Sequence, residues 1–241
     1  MPRHNQRMEM KRLIINSLAK IGIGVYRLES NKKKLFRHYR VTHVLDVGAN
    51  AGQFAKGLRK HVGFIGELVS FEPLSSAFEL LEKAAAHDPK WKVLNCGLGD
   101  VNGSLKINIS ANSASSSFLP ILPACEAAAP TSGYISHETV AVRTLDSIFL
   151  EYCNRSDCVY LKIDTQGFEK QVLDGARSVL PHIATVELEL SLVPLYQNQL
   201  VFPDMYELMT RLGYSLVSLE PEFSDPSSGK LLQVNGTFHR H

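Results

Sequence analysis

The sequence predicts an α/β fold: a mostly parallel sheet with helices on both faces. Three observations predict it. Short apolar runs of strand length recur from residue 41 onward. Segments of helical periodicity separate them. The apolar runs end on glycine or an acid, as at Asp46-Val-Gly48, Phe71-Glu-Pro73 and Ile163-Asp164. A carboxylate at the end of a buried strand is costly unless something there needs it.

The elements follow in order. Val44, Leu45 and Val47 form the first buried run, ended by Gly48, and Gln53 to His61 reads as the helix after it. Leu68, Val69 and Phe71 form the second, ended by Glu72-Pro73, with a helix from Ala77 to Ala86. Val93 to Cys96 is the third, closed by Gly97-Leu98-Gly99-Asp100. An insertion around 104–142 interrupts the alternation: Leu105 to Ile109 and Thr139 to Val142 alternate like exposed strands, and 110–136 reads as a loop. Leu145 to Tyr152 is helical. Val159 to Ile163 is the fourth buried run, and a helix is expected from Phe168 to Leu180. Val186 to Leu190 is the fifth. Met205 to Leu212 is a helix stopped by Gly213, and Ser215 to Leu219 and Leu231 to Phe238 are the last strands.

The chain has 241 residues, 44% hydrophobic and 21% charged, enough for one large core. The net charge of +2 hides an asymmetry. Residues 1–40 hold eleven Lys/Arg against two acids, and the remainder holds fifteen against twenty-two. The chain divides at residue 40 into a basic, helical extension and an acidic domain, 41–241. In the extension Leu13, Ile14, Leu18, Ile21, Val25 and Leu28 recur at helical spacing. Such a basic amphipathic helix suits an anionic membrane surface. Nucleic acid is disfavoured, because only Tyr26, Phe36 and Tyr39 interleave with its cations. The four cysteines form no CxxC pair, which suits a reducing, cytoplasmic setting, peripheral to the membrane if the arm binds one.

In open α/β sheets, ligands bind beyond the carboxyl ends of the strands. The residues there are Asp46 to Gly52, Glu72, Gly97 to Asp100, Asp164, and Glu187 with Glu189. Gly48 and Gly52 let backbone approach a ligand closely. Glu72, 24 residues after Gly48, stands where an acid accepts hydrogen bonds from ribose hydroxyls. A nucleoside-bearing cofactor is expected. The dinucleotide pattern GxGxxG is absent, since Asn50 and Gln53 hold its second and third glycine positions. No GxxxxGK[ST] loop exists either. S-adenosylmethionine (SAM), with ribose and no pyrophosphate, fits better, and an acidic crevice suits its sulfonium. A nicotinamide-dependent oxidoreductase is the alternative enzyme, and a non-catalytic membrane-surface module the alternative outside enzymes.

Val44-Leu-Asp-Val-Gly-Ala-Asn-Ala-Gly-Gln-Phe54, Phe71-Glu-Pro73, Thr144-Leu-Asp146 and Leu161-Lys-Ile-Asp-Thr-Gln-Gly-Phe-Glu169 together resemble the FkbM family of SAM-dependent methyltransferases. The resemblance covers residues 41–219. It implies a Rossmann-like class I methyltransferase fold with seven strands, the last antiparallel. It implies O-methylation of a hydroxyl on a sugar, glycolipid or natural product. It places the loop Gly48 to Gly52, with Asp46 and Asn50, under the methionine part of SAM. It puts Glu72 on the ribose, Cys96, Gly97 and Asp100 beside the adenine, and Asp164 near the transferred methyl, as general base.

Several residues carry two readings. Asp46 either satisfies turn donors or supports the cofactor. Glu169 complements a helix dipole. Glu187 and Glu189 share one strand face, toward crevice or solvent. Lys162 reads as a packing lysine. Asn112, Ser115 and Ser116 read as plain loop. No dedicated metal-ligand cluster is visible; a divalent ion, if bound, would take Asp164, Glu187 and Glu189.

Overall fold

The computed structural model describes residues 30–240. The helix expected across Leu13 to Leu28 lies outside the described residues. Helix α1 (Asn31–His38) opens on Ser30, whose hydroxyl accepts the Lys33 N–H at 3.3 Å. It buries Phe36 against Phe64 and Tyr160, with ring centroids 5.4 and 4.6 Å away. So residues 31–38 pack on the sheet.

Strand β1 (His43–Val47) leads into α2 (Gln53–Gly57). The expected helix widens into a π-turn at Leu58–Val62, ended by Gly63 at φ 76°. Then come β2 (Glu67–Phe71), α3 (Ser75–Ala85) and β3 (Trp91–Leu94). The third strand ends sooner than the sequence suggests, and Cys96 lies beyond it. Nor do Gly97 and Leu98 close a turn. They form β4 (Gly97–Leu98), which pairs in parallel with Val142 and Arg143. That pairing belongs to a second sheet, order β4-β6-β5, built from β5 (Gly103–Ser110) and the antiparallel β6 (Tyr134–Arg143). The region between them holds a short helix, α4 (Pro123–Ala128), and a 3₁₀ turn at Pro130–Ser132.

Helix α5 (Leu145–Tyr152), β7 (Val159–Ile163) and α6 (Glu169–Asp174) follow. Helix α6 is half the length expected. At Gly175 the chain lies against the Gly99 carbonyl so closely that a Cβ would sit 1.9 Å from its oxygen. Beyond that point the Asp146 carboxylate accepts the N–H groups of Ser178 and Val179, at 3.0 and 3.1 Å. A continuing helix would forgo both bonds. Next come β8 (Ile183–Ser191), α7 (Phe202–Arg211), β9 (Ser215–Ser224) and β10 (Leu231–His239). Gly213, after α7, has φ 86°.

The main sheet has seven strands in the order β3-β2-β1-β7-β8-β10-β9. The first five run parallel, while β10 is antiparallel to both neighbours. This is the class I methyltransferase arrangement. One face packs Leu45, Val47, Leu161 and Ile163 with residues of α5, α6 and α7, among them Ile148, Leu173 and Met209. The other packs Val44, Leu68 and Tyr160 with Phe36, Ala55 and Leu81 of α1 to α3. No helix among the described residues is long and apolar enough to cross a membrane.

Leu161, fully buried at the middle of β7, reports on this core. Leu161→Ala is expected to lower stability by about 3–5 kcal/mol through the cavity it leaves. Urea unfolding followed by circular dichroism measures it, with the slope unchanged.

Candidate functional site: a crevice at the carboxyl ends of the strands

A crevice of about 560 Å³ opens where the parallel strands end, between the main sheet and the second sheet. Its floor is the loop after β1. Gly48, Asn50 and Gly52 there have φ of 79°, 47° and 79°. Gly48 is required twice over, because a Cβ would lie 1.8 Å from the Asp164 carbonyl oxygen. The N–H groups of Gly48 and Ala49 both donate to the Phe71 carbonyl at 3.0 Å, which ties the loop to the end of β2.

Glu72 follows directly. Its carboxylate accepts the Asn50 N–H at 2.7 Å and the Leu74 N–H at 2.9 Å. It is 5% exposed and lines the crevice. Burial pushes its pKa up to about 7, against the two N–H bonds that favour the ionised form. Each oxygen keeps a lone pair for a ligand hydroxyl.

Strand register builds the second half of the site. Ser70, Asp46, Lys162, Glu187 and Thr237 are successive partners across β2, β1, β7, β8 and β10. They form a buried polar row on one face of the sheet. Ser70 Oγ donates to Asp46 Oδ2 at 3.2 Å, and Trp91 Nε1 donates to Ser70 at 3.0 Å. Lys162 Nζ stands 3.9 Å from Asp46 Oδ1 and 3.0 Å from Asp164 Oδ2. Burial alone would lower the Lys162 pKa, but Asp164 and Asp46 outweigh it and the net shift is upward. Burial pushes Asp46 up to about 6, with Lys162 opposing. Glu187 takes Lys32 of α1, with Nζ 2.7 Å from each oxygen, and the Tyr160 hydroxyl.

Because side chains alternate, the residues two further on share the same face and form the crevice wall. These are Asp164 and Glu189, with Asn235 and Glu220 in register beyond Glu189. Gln166 joins the acids. Its Nε2 donates to Asp164 Oδ1 and to Glu189 Oε2, both at 2.8 Å. Gln233 adds a second amide to Glu189 Oε2 at 2.7 Å. Burial, then Asp164 and Glu169, raise the Glu189 pKa well above the usual carboxylate range.

The methyltransferase FkbM domain matches residues 46–216. The chain belongs to the FkbM methyltransferase family. It thus carries a SAM-dependent methyltransferase domain. No curated protein matches it. Among solved structures, a methyltransferase FkbM from Methylobacillus flagellatus KT is 16% identical with a TM-score of 0.48. The alignment covers 81% of this chain and 43% of that one, so this chain spans less than half of that protein's length. A SAM-dependent methyltransferase from Aquifex aeolicus is 12% identical, TM-score 0.44, over 87% of this chain and 90% of that one. The SAM-bound magnesium protoporphyrin IX methyltransferase of Synechocystis PCC 6803 is 8% identical, TM-score 0.47, over 87% and 75%.

Within the FkbM domain, Gly48, Asn50, Glu72, Gly97, Asp164, Glu187 and Glu189 line one crevice. Other expected site residues do not. Gly52 is buried beneath Trp91, whose ring would lie 2.8 Å from a Cβ. Asp46 is fully buried one row below the wall. Cys96 packs into the main core, where burial pushes its thiol up to about 11. Asp100 is exposed and away from the crevice. Leu98 lines the space instead. Glu169 does more than face a helix dipole: it is buried, and Oε1 accepts the N–H groups of Thr165 and Gly167 at 3.1 and 3.0 Å. Ser116 lines the crevice, whereas Asn112 braces its own loop through Ser115. Among the described residues no three or more His, Cys, Asp or Glu side chains are arranged to hold a metal ion.

Sequence reasoning missed Lys162, Lys32, Gln166, Glu220 and Glu222, all of which line the crevice. Lys162 had a signal, its two-residue spacing from Asp164. Lys32 had none, being 155 residues from its partner Glu187.

Asp46, Glu72 and Glu169 share a consequence, since burial pushes them up to about 6, 7 and 7. Their folded pKa values exceed the unfolded ones near 4. The folded state therefore binds more protons between about pH 4 and 7, and stability falls as pH rises through that window. The urea midpoint is expected to drop between pH 5 and 8. Glu72→Gln should flatten the drop.

Proposed function

We propose that the protein is a SAM-dependent O-methyltransferase acting on a hydroxyl of a small-molecule or glycan acceptor, such as a sugar, glycolipid or natural product. The observation that carries the reading is Glu72, a buried carboxylate facing the crevice beside the Gly48 cradle. Glu72 accepts the ribose hydroxyls. Gly48, with no Cβ, leaves room for the methionine part along the loop from Gly48 to Asn50. Gly97 and Leu98 flank the adenine.

Bound SAM supplies a methyl group activated by positively charged sulfur. The chain's own task is to hold the acceptor oxygen in line with that methyl and to receive its proton. Asp164 faces both. Lys162 and Gln166 fix its two oxygens, so its carboxylate is oriented before a ligand arrives. Hydrogen-bonding groups on the crevice wall, Glu220, Glu222 and Asn235, suit a polyhydroxylated acceptor, and the surplus of acids disfavours an anionic one.

The nicotinamide alternative gains no support. Asn50, at the second glycine position of a dinucleotide pattern, turns its N–H to Glu72 rather than to a phosphate. The charge of +9 on residues 1–40 supports peripheral attachment at an anionic membrane surface, and the free cysteines support a cytoplasmic setting.

Calorimetry with SAM and with NAD tests the cofactor, and labelled SAM offered with glycans and glycolipids tests the acceptor. SAM is expected to bind and NAD not to. Glu72→Ala should weaken SAM by more than about tenfold, roughly 1.5–3 kcal/mol, because buried ribose hydroxyls lose a charged acceptor. Unchanged affinity in a folded variant removes Glu72 from the cofactor site.

A further inference from the structure

Asp164 and Glu189 come from different strands, yet one nitrogen, Gln166 Nε2, serves both at 2.8 Å. Gln166 is held for this task. Its φ of 54° is uncommon for a residue with a side chain. The Tyr196 hydroxyl donates to its Oε1 at 2.7 Å, and Ser117 Oγ donates to its backbone carbonyl at 2.7 Å. Two carboxylates on one donor do not both carry charge cheaply. Lys162 decides between them, because its ammonium bonds Asp164 and not Glu189. Glu189 has only neutral donors, the amides of Gln166 and Gln233. The proton therefore resides on Glu189 while no cation is present.

The surroundings of Glu189 point the same way. Asp164 at the end of β7, Glu169 of α6 and Glu222 of β9 all disfavour its charge, and Lys162 alone opposes them. Glu187 lies two residues away on the same strand face. Cys125 of α4 and Tyr196 stand near as neutral groups.

We propose that Glu189 is the carboxyl group that releases its proton to solvent when the positively charged SAM binds, so that it meets the acceptor hydroxyl ionised. This rests on the SAM reading above. The arriving sulfonium supplies the positive charge that Glu189 lacks. The cofactor thereby switches on a second proton acceptor that the empty crevice keeps neutral, beside Asp164, which Lys162 holds as an ion pair throughout.

The test needs no acceptor. SAM and its demethylated product, S-adenosylhomocysteine, are titrated into the full-length protein at pH 7 in buffers of different ionisation heat. The two ligands share ribose and adenine, so protons shed by Glu72 are common to both and cancel in the comparison. Only SAM carries the sulfonium. SAM is expected to release up to about one more proton than the product does, and its affinity relative to the product should rise by about tenfold between pH 6 and 8. Glu189→Gln should bind both ligands and abolish the difference. Equal proton release by the two ligands in the wild-type protein overturns the proposal and leaves the SAM reading standing. An extra release that survives Glu189→Gln assigns the proton elsewhere, to Asp46 for example, and also overturns it. Failure of either ligand to bind the wild-type protein overturns the SAM reading itself. The wild-type comparison stands even if the variant does not fold.

Discussion

One buried ammonium group organises the site. Lys162 lies in the central strand of the sheet, 8% exposed, where an unpaired charge would be severely unfavourable. It is tolerated because Asp46 approaches from β1 and Asp164 from the end of its own strand. The dependence runs both ways, since either acid without Lys162 would be a buried or half-buried charge facing other acids. Their geometry is thus over-determined: strand register sets Asp46 against Lys162, and the two-residue alternation sets Asp164 above it. The Phe54 ring, with its centroid 5.2 Å from Nζ, covers the same cation from the crevice side.

Much of this was legible in the sequence, for a physical reason. Parallel strands buried on both faces must be apolar runs, so Val44 to Val47, Leu68 to Phe71 and Val159 to Ile163 declare themselves, as do the acids that end them. What was not legible depends on contacts distant in sequence. Nothing around Phe168 to Leu180 shows that α6 must stop at Gly175. The cause lies in the Gly99 carbonyl, 76 residues earlier in the chain. Gly97 and Leu98 look like turn residues until β6 arrives to pair with them. Cys96 was set beside the adenine by the family resemblance, but the third strand ends at Leu94 and the residue turns into the core. Lys162 reads from the sequence as a packing lysine; that its ammonium pairs with Asp46 and Asp164 depends on strand register.

Helix α1 also takes a meaning its composition conceals. Its cations read from the sequence as part of a basic, membrane-facing extension. The helix nevertheless sends Lys32 into the crevice, where the ammonium holds Glu187 and lies 4.9 Å from the Phe54 ring centroid. At the other end Tyr39 stacks on His239, centroids 3.5 Å apart. The helix therefore bridges the crevice and the final strand of the sheet.

The antiparallel pair β9 and β10 divides labour within the crevice. Gly48 and Glu72 stand just beyond the ends of parallel strands whose helical crossovers lock them into the core. Glu220, Glu222 and Asn235 stand on a hairpin whose connection, 225–230, runs through solvent. Substitutions, insertions and deletions in the connection 225–230 disturb few core contacts, whereas Leu232, Gln233 and Val234 of β10 are buried. On the proposed reading, variation at Glu220, Glu222 and Asn235 would retune acceptor choice at one wall of the crevice while the opposite wall stays fixed, and a laboratory library confined to those three positions would explore new substrates on an unchanged cofactor platform.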